Sequence, residues 1–298
     1  MNVIITGISG FVGQNLSKYL EEQNCNITGL SLRNYWKLAK DNSAIIHLAG
    51  KAHDTANIST DEEYFKINTD LTKKLFDEFL DSDIDDFIYF SSVKATADTI
   101  EGILDEEHFS DPKTPYGKSK LLAEQYLLSK DLPVDKRLFI IRPCMIHGPG
   151  NKGNLNLLYK IVEKGIPWPL AAFENQRSFL SIDNLSFLIF EILKTKNVQS
   201  GIYNFADDDF ISTNQLIKII SNASGKTSRL WSVPVGFISF TAKVGDKIKF
   251  PLNSERLKKL TESYAVSNKK IKSALKITEL PVSAEEGLIK TIKSFQSK

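Results

Sequence analysis

Cysteine is scarce in this chain. It has two, Cys25 and Cys144, and neither lies near a second Cys or a His at the spacing of metal ligands. A disulfide framework and a cysteine-based zinc site are therefore excluded, and the sequence favours a protein of the reducing cytoplasm. Because His53, His108 and His147 also lack mutual metal spacing, no metal site is predicted.

Long apolar runs and an excess of charge are missing too. No apolar segment approaches the roughly 18 residues of a membrane span, and residues 1–6 lack the basic start of a secretion signal. The formal net charge is only +2, and the 298 residues include 16 glycines and 10 prolines. These features argue against disordered and collagen-like chains, and they require neither a nucleic-acid partner nor membrane insertion. The lysine-rich C-terminal residues are interpreted as a solvated face.

What the sequence does contain is an alternation of strands and helices. Short apolar runs predict the strands, and apolar residues at helical spacing predict helices between most of them. This alternation indicates an α/β fold, a doubly wound parallel sheet with helices on both faces. The predicted strands are Met1–Thr6, Asn26–Leu32, Ala44–Leu48, Phe87–Phe90 and Leu138–Ile141, and the predicted helices are Phe11–Glu22, Asp61–Leu80 and Tyr116–Leu128.

The alternation becomes irregular after about residue 150. We expect residues 1–150 to form the nucleotide-binding domain, with parts of 178–206 returning to it, and 151–298 to form mainly a smaller mixed substrate region. The connection from 32 to 44 is too short for a helix and a strand, so one unit is expected to be missing. Later predicted features are a strand at Ser178–Ser181, a helix from Asp183, and helices with Ser212 and Ser283 as N-caps.

A glycine-rich turn separates the first predicted strand from the first helix. Its sequence is Thr6-Gly7-Ile-Ser-Gly10-Phe11-Val12-Gly13. Gly7 permits a tight turn, Gly10 lets the backbone approach a phosphate, and Gly13 allows close packing of helix and strand. The pyrophosphate of a dinucleotide would meet backbone N–H groups and the positive helix end here. The sequence therefore predicts a Rossmann-like site for NAD(P).

Ser31 and Arg33 bear on the choice between NAD and NADP. They lie at the end of the second predicted strand, where an acidic residue holds a ribose 2′-hydroxyl and a basic one holds a 2′-phosphate. No acidic residue occurs in Gly29–Asn34, so the sequence tilts toward NADP. The alternative, that Arg33 is an ordinary surface arginine, stays open.

Tyr116 and Lys120 are one helical turn apart, so both side chains leave one face of a helix. A nearby ammonium lowers the pKa of a phenol, which predicts that Tyr116 acts as an acid or base near neutral pH. Ser92 ends a predicted strand at the sheet edge where ligands bind. Its hydroxyl could hold the substrate oxygen whose proton Tyr116 takes.

Several motifs together resemble the extended short-chain dehydrogenase/reductases, specifically the nucleotide-sugar epimerase/dehydratase branch and its UDP-glucose 4-epimerase-like subgroup. The resemblance spans most of the chain. Besides the glycine turn, it is carried by His47-Leu48-Ala49-Gly50, Ser91-Ser92, Tyr116-x-x-x-Lys120, Arg142-Pro143, Gly148-Pro-Gly150 and Arg177-Ser-Phe-Leu-Ser-Ile-Asp183.

The resemblance assigns roles to these residues. Tyr116 is implied to be the acid/base, Lys120 to hold the nicotinamide ribose, and Ser92 to bind the reacting sugar hydroxyl. It also implies a homodimer formed by the helices 61–80 and 116–128. Implied cofactor residues are Gly7, Gly10, Phe11, Val12, Gly13, Ser31, Arg33, Leu48, Ala49, Gly50, Asn68 and Pro143, and implied substrate residues are Lys94, Asn154, Leu155, Arg177 and Arg256. For Arg256 a surface helix arginine is the favoured interpretation, and His47 is interpreted as structural.

Two departures narrow the chemistry. Val93 and Lys94 follow Ser92 where the 4,6-dehydratases have an acid pair, and Lys94-Ala95 offers no cysteine like that of the 3,5-epimerising reductases. The leading hypothesis is an NAD(P)-dependent 4-epimerase of a UDP-hexose or UDP-N-acetylhexosamine, for surface polysaccharide precursors. An NADPH-dependent reductase of a UDP-4-keto-6-deoxy sugar is held nearly even with it. A non-catalytic NADP-binding sensor or scaffold is a remote alternative.

Overall fold

The computed structural model describes residues 1–51, 60–151, 154–248 and 253–296, without the side chains of Asn154 and Ile248. His53 lies outside this range. The strands are β1 (Asn2–Thr6), β2 (Asn26–Leu30), β3 (Ala44–His47), β4 (Asp86–Phe90), β5 (Ile103–Leu104), β6 (Arg137–Pro143), β7 (Met145–His147), β8 (Arg177–Ser181), β9 (Gly201–Phe205), β10 (Phe210–Ile211) and β11 (Ala265–Val266).

The helices alternate with the strands in the first half of the chain. A π-helical turn (Phe65–Asp70) and a 3₁₀ turn (Val93–Ala95) are also present. The α-helices are α1 (Phe11–Glu22), α2 (Asp61–Tyr64), α3 (Leu71–Leu80), α4 (Pro115–Leu128), α5 (Asn154–Glu163), α6 (Ile182–Lys194), α7 (Thr213–Ala223), α8 (Val235–Ile248), α9 (Ser254–Thr261), α10 (Lys269–Leu275) and α11 (Ala284–Gln296).

Six parallel strands form the large sheet, in the order β2-β1-β3-β4-β6-β9. The chain moves from β1 to β2 on one side and then to β3 on the other, so the direction of winding reverses between β1 and β3. Ligands of such sheets bind outside the carboxyl ends of the strands at this reversal. The predicted α/β fold is confirmed, and so is the missing unit, because residues 31–43 contain neither helix nor strand.

Both faces of the large sheet are covered by helices. Along β1, Val3 and Ile5 belong to the same apolar cluster as residues of α1 and α6. Ile4 belongs to the opposite cluster, with Phe76 and Phe79 of α3. Because successive side chains of a strand point to opposite faces, this alternation buries the whole strand. Packing on both faces therefore holds the residues at the carboxyl ends of the strands in fixed positions.

The C-terminal part has a core of its own. A third cluster joins α5, α7, α8, α9 and α11 around residues such as Trp168, Phe179 and Leu257. The strand predicted at 178–181 belongs to a small mixed sheet in the order β10-β8-β7, whereas β9 returns to the large sheet. The predicted N-caps are confirmed, since Ser212 forms a capping box with Gln215 and the Ser283 Oγ accepts from the Glu286 backbone N–H.

The helical stretch predicted at 61–80 is interrupted by the π-helical turn. Its apolar stripe packs mostly within the chain, where Leu75, Phe76 and Phe79 are fully buried. Helix α4 exposes Leu122 and Leu128 by 45% and 51%. No helix in the described ranges is both long and apolar enough to cross a membrane.

Candidate active site

The glycine turn links the carboxyl end of β1 to the start of α1. Gly7 has a φ of +70°, a conformation that residues with a side chain rarely adopt. The Gly10 N–H donates to the Gly7 carbonyl at 3.0 Å and closes the turn. A Cβ on Gly7 would lie 2.8 Å from Ala49 N, and one on Gly13 would lie 2.5 Å from Gly7 O. The backbone therefore passes closely at two points where only glycine fits.

This turn fits the pyrophosphate of a dinucleotide. Gly10 is the N-cap of α1 and carries no side chain, so the first N–H groups of the helix face the turn without a capping side chain. Phe11 and Val12 are half-buried in the first turn of α1. The loop 48–50 follows β3 directly, and its Ala49 N–H donates to Thr6 Oγ1 at 3.0 Å. The close backbone and the open helix end fit NAD(P).

His47, at the end of β3, connects the end of β1 to α3 below the glycine turn. Its Nδ1 contacts Thr6 Oγ1 at 2.7 Å and its Nε2 contacts Thr72 Oγ1 at 2.9 Å, both in the buried interior. Burial, and secondarily the charge of Lys120, lowers the pKa of His47 to about 3, so its ring is neutral. The geometry agrees with a structural role for His47.

The π-helical turn places Asn68 against α4, the helix that carries Tyr116 and Lys120. The Asn68 amide nitrogen donates to Ser119 Oγ at 3.0 Å, and its oxygen accepts from Lys51 N at 2.7 Å. A Cβ on Gly50 would lie 3.0 Å from Asn68 Oδ1 and 3.2 Å from Lys120 Nζ. Gly50, Asn68 and Lys120 thus meet at one point, and π-helical turns often occur at functional sites.

Ser92, Tyr116 and Lys120 come together at the carboxyl edge of β4. Ser92 hydrogen-bonds the Tyr116 hydroxyl, and the Ser92 Oγ also accepts from Lys94 N at 3.2 Å. The ring of Tyr116 packs edge-on to Tyr64, with 6.1 Å between centroids. Lys120 is 5% exposed, and its Nζ donates to the carbonyl of Phe90 at 2.7 Å.

Burial governs both pKa values in this arrangement. It raises the pKa of Tyr116 above its usual value, an effect that the Ser92 hydrogen bond opposes. It also lowers the pKa of Lys120 to about 8, against the attraction of Glu124. The sequence predicted a phenol pKa lowered by Lys120. In the cofactor-free protein the direction is the opposite, because burial of the Tyr116 hydroxyl raises its pKa.

The start of α4 is held in place by Asp98. Its carboxylate accepts from the Lys113 N–H at 2.6 Å and from the Thr114 side chain at 2.9 Å. Thr114 in turn caps the helix through Gly117 N at 3.3 Å. A Cβ on Gly117 would lie 2.4 Å from Lys94 O, so α4 begins in direct contact with the strand-end loop. Sequence reasoning missed Asp98.

A buried ion pair lies near Lys120 on α4. Arg142 of β6 and Glu124 of α4 are 3% and 1% exposed, and Arg142 Nη2 lies 2.5 Å from Glu124 Oε2. A second nitrogen, Nε, donates to the same carboxylate at 3.0 Å, and the Ser91 hydroxyl donates to it as well. Glu124 is one turn beyond Lys120, so these contacts join α4 to β6 and to Ser91, which directly follows β4. Sequence reasoning overlooked Glu124, although its spacing of four from Lys120 was available as a signal.

Ser31 and Arg33 lie just beyond the end of β2, where both are exposed. The Arg33 N–H approaches Ser31 Oγ at 3.5 Å. The residues from 29 to 36 contain no acidic side chain. Both side chains are therefore open to a phosphate at this end of the cofactor turn.

Arg177 and Lys94 meet near Tyr264. The Lys94 Nζ lies 3.9 Å from the centroid of the Tyr264 ring and donates to Asp98 O at 2.7 Å. Arg177 begins β8, and its Nη1 donates to Lys259 O at 3.0 Å. Burial lowers the pKa of both cations, and each also lies close enough to Glu262 for that carboxylate to oppose the shift.

The other predicted substrate and cofactor residues differ in their exposure. Arg256 is exposed on α9, three residues after the Asn253 cap. The Leu155 side chain is 3% exposed in the C-terminal core, so only its backbone is available to a ligand. The side chain of Asn154 lies outside the described part of the chain. Pro143 is buried at the carboxyl end of β6.

No group of three His, Cys, Asp or Glu side chains that could hold a metal ion occurs among the described residues. Cys25 and Cys144 are buried free thiols. Burial raises the pKa of each thiol, which keeps both protonated.

Comparison with known proteins agrees with this geometry. The chain is 27% identical to the UDP-glucose 4-epimerase of Vibrio cholerae, with 99% of this chain and 95% of the relative covered. It is 28% identical to the N-acetyl-alpha-D-glucosaminyl-diphospho-ditrans,octacis-undecaprenol 4-epimerase of Escherichia coli O157:H7, over 98% of this chain and 94% of that relative.

A solved structure supports the fold. The UDP-glucuronic acid 4-epimerase of Bacillus cereus in complex with NAD superposes with a TM-score of 0.75 at 18% identity, over 100% of this chain and 99% of that one. The model of the NAD dependent epimerase/dehydratase family matches residues 3–206, which include the glycine turn, Ser92, Tyr116 and Lys120. With those elements gathered at one sheet edge, the chain belongs to the NAD dependent epimerase/dehydratase family.

Proposed function

We propose that this protein is an NAD(P)-dependent 4-epimerase of a nucleotide sugar, a UDP-hexose or UDP-N-acetylhexosamine destined for surface polysaccharides. The observation that carries the proposal is the meeting of Ser92, Tyr116 and Lys120 beside the glycine turn. Both full-length relatives described above bear the name of a 4-epimerase, which supports the choice of carbon.

Tyr116 performs the proton transfer in this proposal. Its oxygen acts as the phenolate, which takes the proton of the sugar 4-hydroxyl as the C4–H bond breaks and returns it after the 4-keto sugar has turned its other face. The positive charges of Lys120 and of an oxidised nicotinamide would favour this phenolate against the rise in Tyr116 pKa that burial causes. Ser92 donates a hydrogen bond to the same sugar oxygen and orients it. The bound dinucleotide supplies the acceptor and donor of the hydride.

Lys120 and Asn68 position the cofactor. Lys120 is close to Gly50, so its ammonium is placed for the nicotinamide ribose, and a ribose hydroxyl would offer it a partner besides the Phe90 carbonyl. Asn68 links the π-helical turn to α4, because its amide donates to Ser119 Oγ. The Ser119 hydroxyl in turn donates to the Tyr116 carbonyl at 2.8 Å. The loop that follows β3, Leu48-Ala49-Gly50, lies against the glycine turn.

The neighbours of Ser92 disfavour dehydration. Val93 and Ala95 are apolar and buried, and Lys94 is committed to the Asp98 carbonyl. Water elimination needs an additional acid at this point, which neither residue supplies. We therefore expect no formation of a 4-keto-6-deoxy product.

The diphosphate of the substrate is assigned to the side of the site formed by Arg177. A guanidinium presents paired N–H donors that match phosphate oxygens. Lys94, Arg256 and the backbone of residues 154–155 belong to the same proposed substrate region. In this assignment residues 151–298 bind mainly the nucleotide sugar, whereas 1–150 with parts of 178–206 bind the cofactor.

A reductase is the second candidate, favoured by Ser31 and Arg33. A 2′-phosphate would gain a charge-assisted contact with an exposed Arg33, and residues 29–36 hold no carboxylate that would oppose it. We expect Arg33→Ala to weaken NADPH binding roughly tenfold and to leave NADH binding unchanged. Equal binding of both cofactors by the wild type would remove this support.

The deciding experiment supplies the purified protein with UDP-sugars or 4-keto UDP-sugars, with and without NADPH, and separates the products by chromatography. Interconversion of C4 epimers without added reductant supports the epimerase. Consumption of NADPH only with a 4-keto sugar supports the reductase instead. Turnover of neither class would contradict both and leave the non-catalytic NADP-binding sensor or scaffold as the better hypothesis.

Assembly and location complete the proposal. We propose a cytoplasmic homodimer, formed by the exposed faces of α3 and α4 around Leu122 and Leu128. Light scattering at micromolar concentration tests the assembly. A monomeric mass would contradict it.

A further inference from the structure

Helix α8 carries an unusual amount of exposed aromatic surface. Phe237, Phe240 and Val244 are 62%, 65% and 40% exposed, and they follow one another at intervals of three and four residues along one stripe. The opposite side of the helix is anchored, since Ile238 and Ala242 are buried in the C-terminal core. The exposed stripe is therefore held rigidly toward the outside.

Lysines accompany this stripe on the same side of the helix. Lys243 and Lys247 follow Phe240 by three and seven residues, and both are exposed. We call Phe237, Phe240, Lys243, Val244 and Lys247 the α8 face.

The surroundings of the α8 face are basic and aromatic as well. Residues 229–248 and 253–261 contain six basic and two acidic side chains, although the formal charge of the whole chain is only +2. The two acidic groups are engaged, because Asp246 accepts from Ser254 and Glu255 pairs with Lys259. Trp231, just before the helix, is 59% exposed.

We propose that the α8 face binds the surface of an anionic lipid bilayer. A helix with an apolar aromatic stripe flanked by lysines lies in the membrane interface, with the rings among the acyl chains and the ammonium groups at the headgroups. At 14 residues α8 is too short to span a bilayer, so it lies on the surface.

A second copy of the chain is a poorer occupant for this face. In a two-fold interface the same patch meets itself, which would bring the lysines of both subunits together in a buried region. Like charges repel there, whereas anionic headgroups neutralise them. The charge of the face therefore selects the bilayer over self-association.

The test is flotation of the full-length protein with vesicles of phosphatidylethanolamine and phosphatidylglycerol, compared with phosphatidylcholine vesicles. We expect binding to the anionic vesicles only. The Phe237→Ser/Phe240→Ser variant should bind at least roughly tenfold more weakly, because both rings lose their apolar contact. The Lys243→Gln/Lys247→Gln variant should lose roughly fivefold per lysine and become less sensitive to salt than the wild type.

The matched control is Tyr35→Ser/Phe109→Ser, which removes two rings that are 93% and 88% exposed elsewhere on the molecule. It should bind vesicles like the wild type. Melting temperature and turnover of a water-soluble UDP-sugar should be unchanged in the α8 variants, which separates this proposal from the proposed function. The proposal is overturned if the wild type does not float, if it binds both vesicle types equally, or if Phe237→Ser/Phe240→Ser alters the mass in lipid-free solution.

Discussion

The carboxyl edge of the large sheet and the α8 face differ in which groups they expose to water. The edge buries charge and gives it partners, as for Lys120 with the Phe90 carbonyl and Arg142 with Glu124. The α8 face exposes apolar rings and leaves its lysines in solvent. The first pattern preorganises groups for a small molecule, and the second suits a broad apolar and charged surface.

Removing the Tyr116 hydroxyl is expected to have the largest effect. Tyr116→Phe deletes the titrating oxygen and keeps the ring that packs on Tyr64, so turnover should fall roughly 10²–10⁴-fold while fold and cofactor binding persist. Steady-state kinetics and calorimetric titration of the cofactor measure both. Near-wild-type turnover would remove Tyr116 from the mechanism.

Breaking the buried ion pair should be the next largest effect. Glu124→Ala leaves Arg142 charged and unpaired in the interior, which is expected to cost about 3–5 kcal/mol of unfolding free energy. Urea denaturation measures this. The control Glu255→Ala breaks an exposed pair on α9 and should change stability by less than about 1 kcal/mol. Equal losses in the two variants would contradict the contrast between the regions.

The burial of Lys120 predicts a dependence of stability on pH. Its pKa is about 8 in the folded protein against an ordinary value of 10.5, so the charged form is disfavoured by folding. The cost is complete below pH 8 and disappears as the pH rises toward 10.5. Lys120→Met should therefore abolish activity yet stabilise the cofactor-free protein at pH 7, by about 3 kcal/mol at most. Denaturation at pH 7 and pH 10 should show this gain shrinking, and a gain independent of pH would contradict the assignment.

A pair of glycine substitutions gives the smallest predicted effects, with opposite signs. A Cβ on Gly13 would lie 2.5 Å from Gly7 O, so Gly13→Ala should cost about 1–3 kcal/mol and weaken cofactor binding. A Cβ on Gly236 in α8 would meet nothing within 4 Å, so Gly236→Ala should add about 0.5–1 kcal/mol. Thermal melts with and without NAD(P) measure both, and a stable, cofactor-binding Gly13→Ala variant would contradict the close approach.

Local patterns in the sequence predicted a good part of this architecture. The alternation of strands and helices indicated the parallel sheet because each period reports which face of an element is buried. The spacing of Tyr116 and Lys120 indicated a shared helix face, since residues four apart are neighbours in any helix. Most predicted element ends lie within two residues of the observed ones.

The remainder depended on contacts between distant segments. Glu124 is 18 residues from Arg142 and 33 from Ser91, and only the sheet order brings the three together. Asp98 reaches Thr114 across a loop, and the π-helical turn at 65–70 leaves no distinct signature in an apolar stripe. The exposure of Phe237 and Phe240 also required the structure, because a pattern of apolar residues does not say which of them the core will cover.

The sequence by itself determined the fold class, the glycine turn and the shared helix face of Tyr116 and Lys120, because these follow from backbone freedom and helical spacing over a few residues. The tertiary structure alone decided the direction in which the two pKa values are shifted. Burial raises the pKa of Tyr116 and lowers that of Lys120. The Lys120 ammonium, which the sequence placed beside the phenol, donates a hydrogen bond to the Phe90 carbonyl. A pKa depends on the surrounding dielectric and on partners brought from distant strands, which only folding supplies.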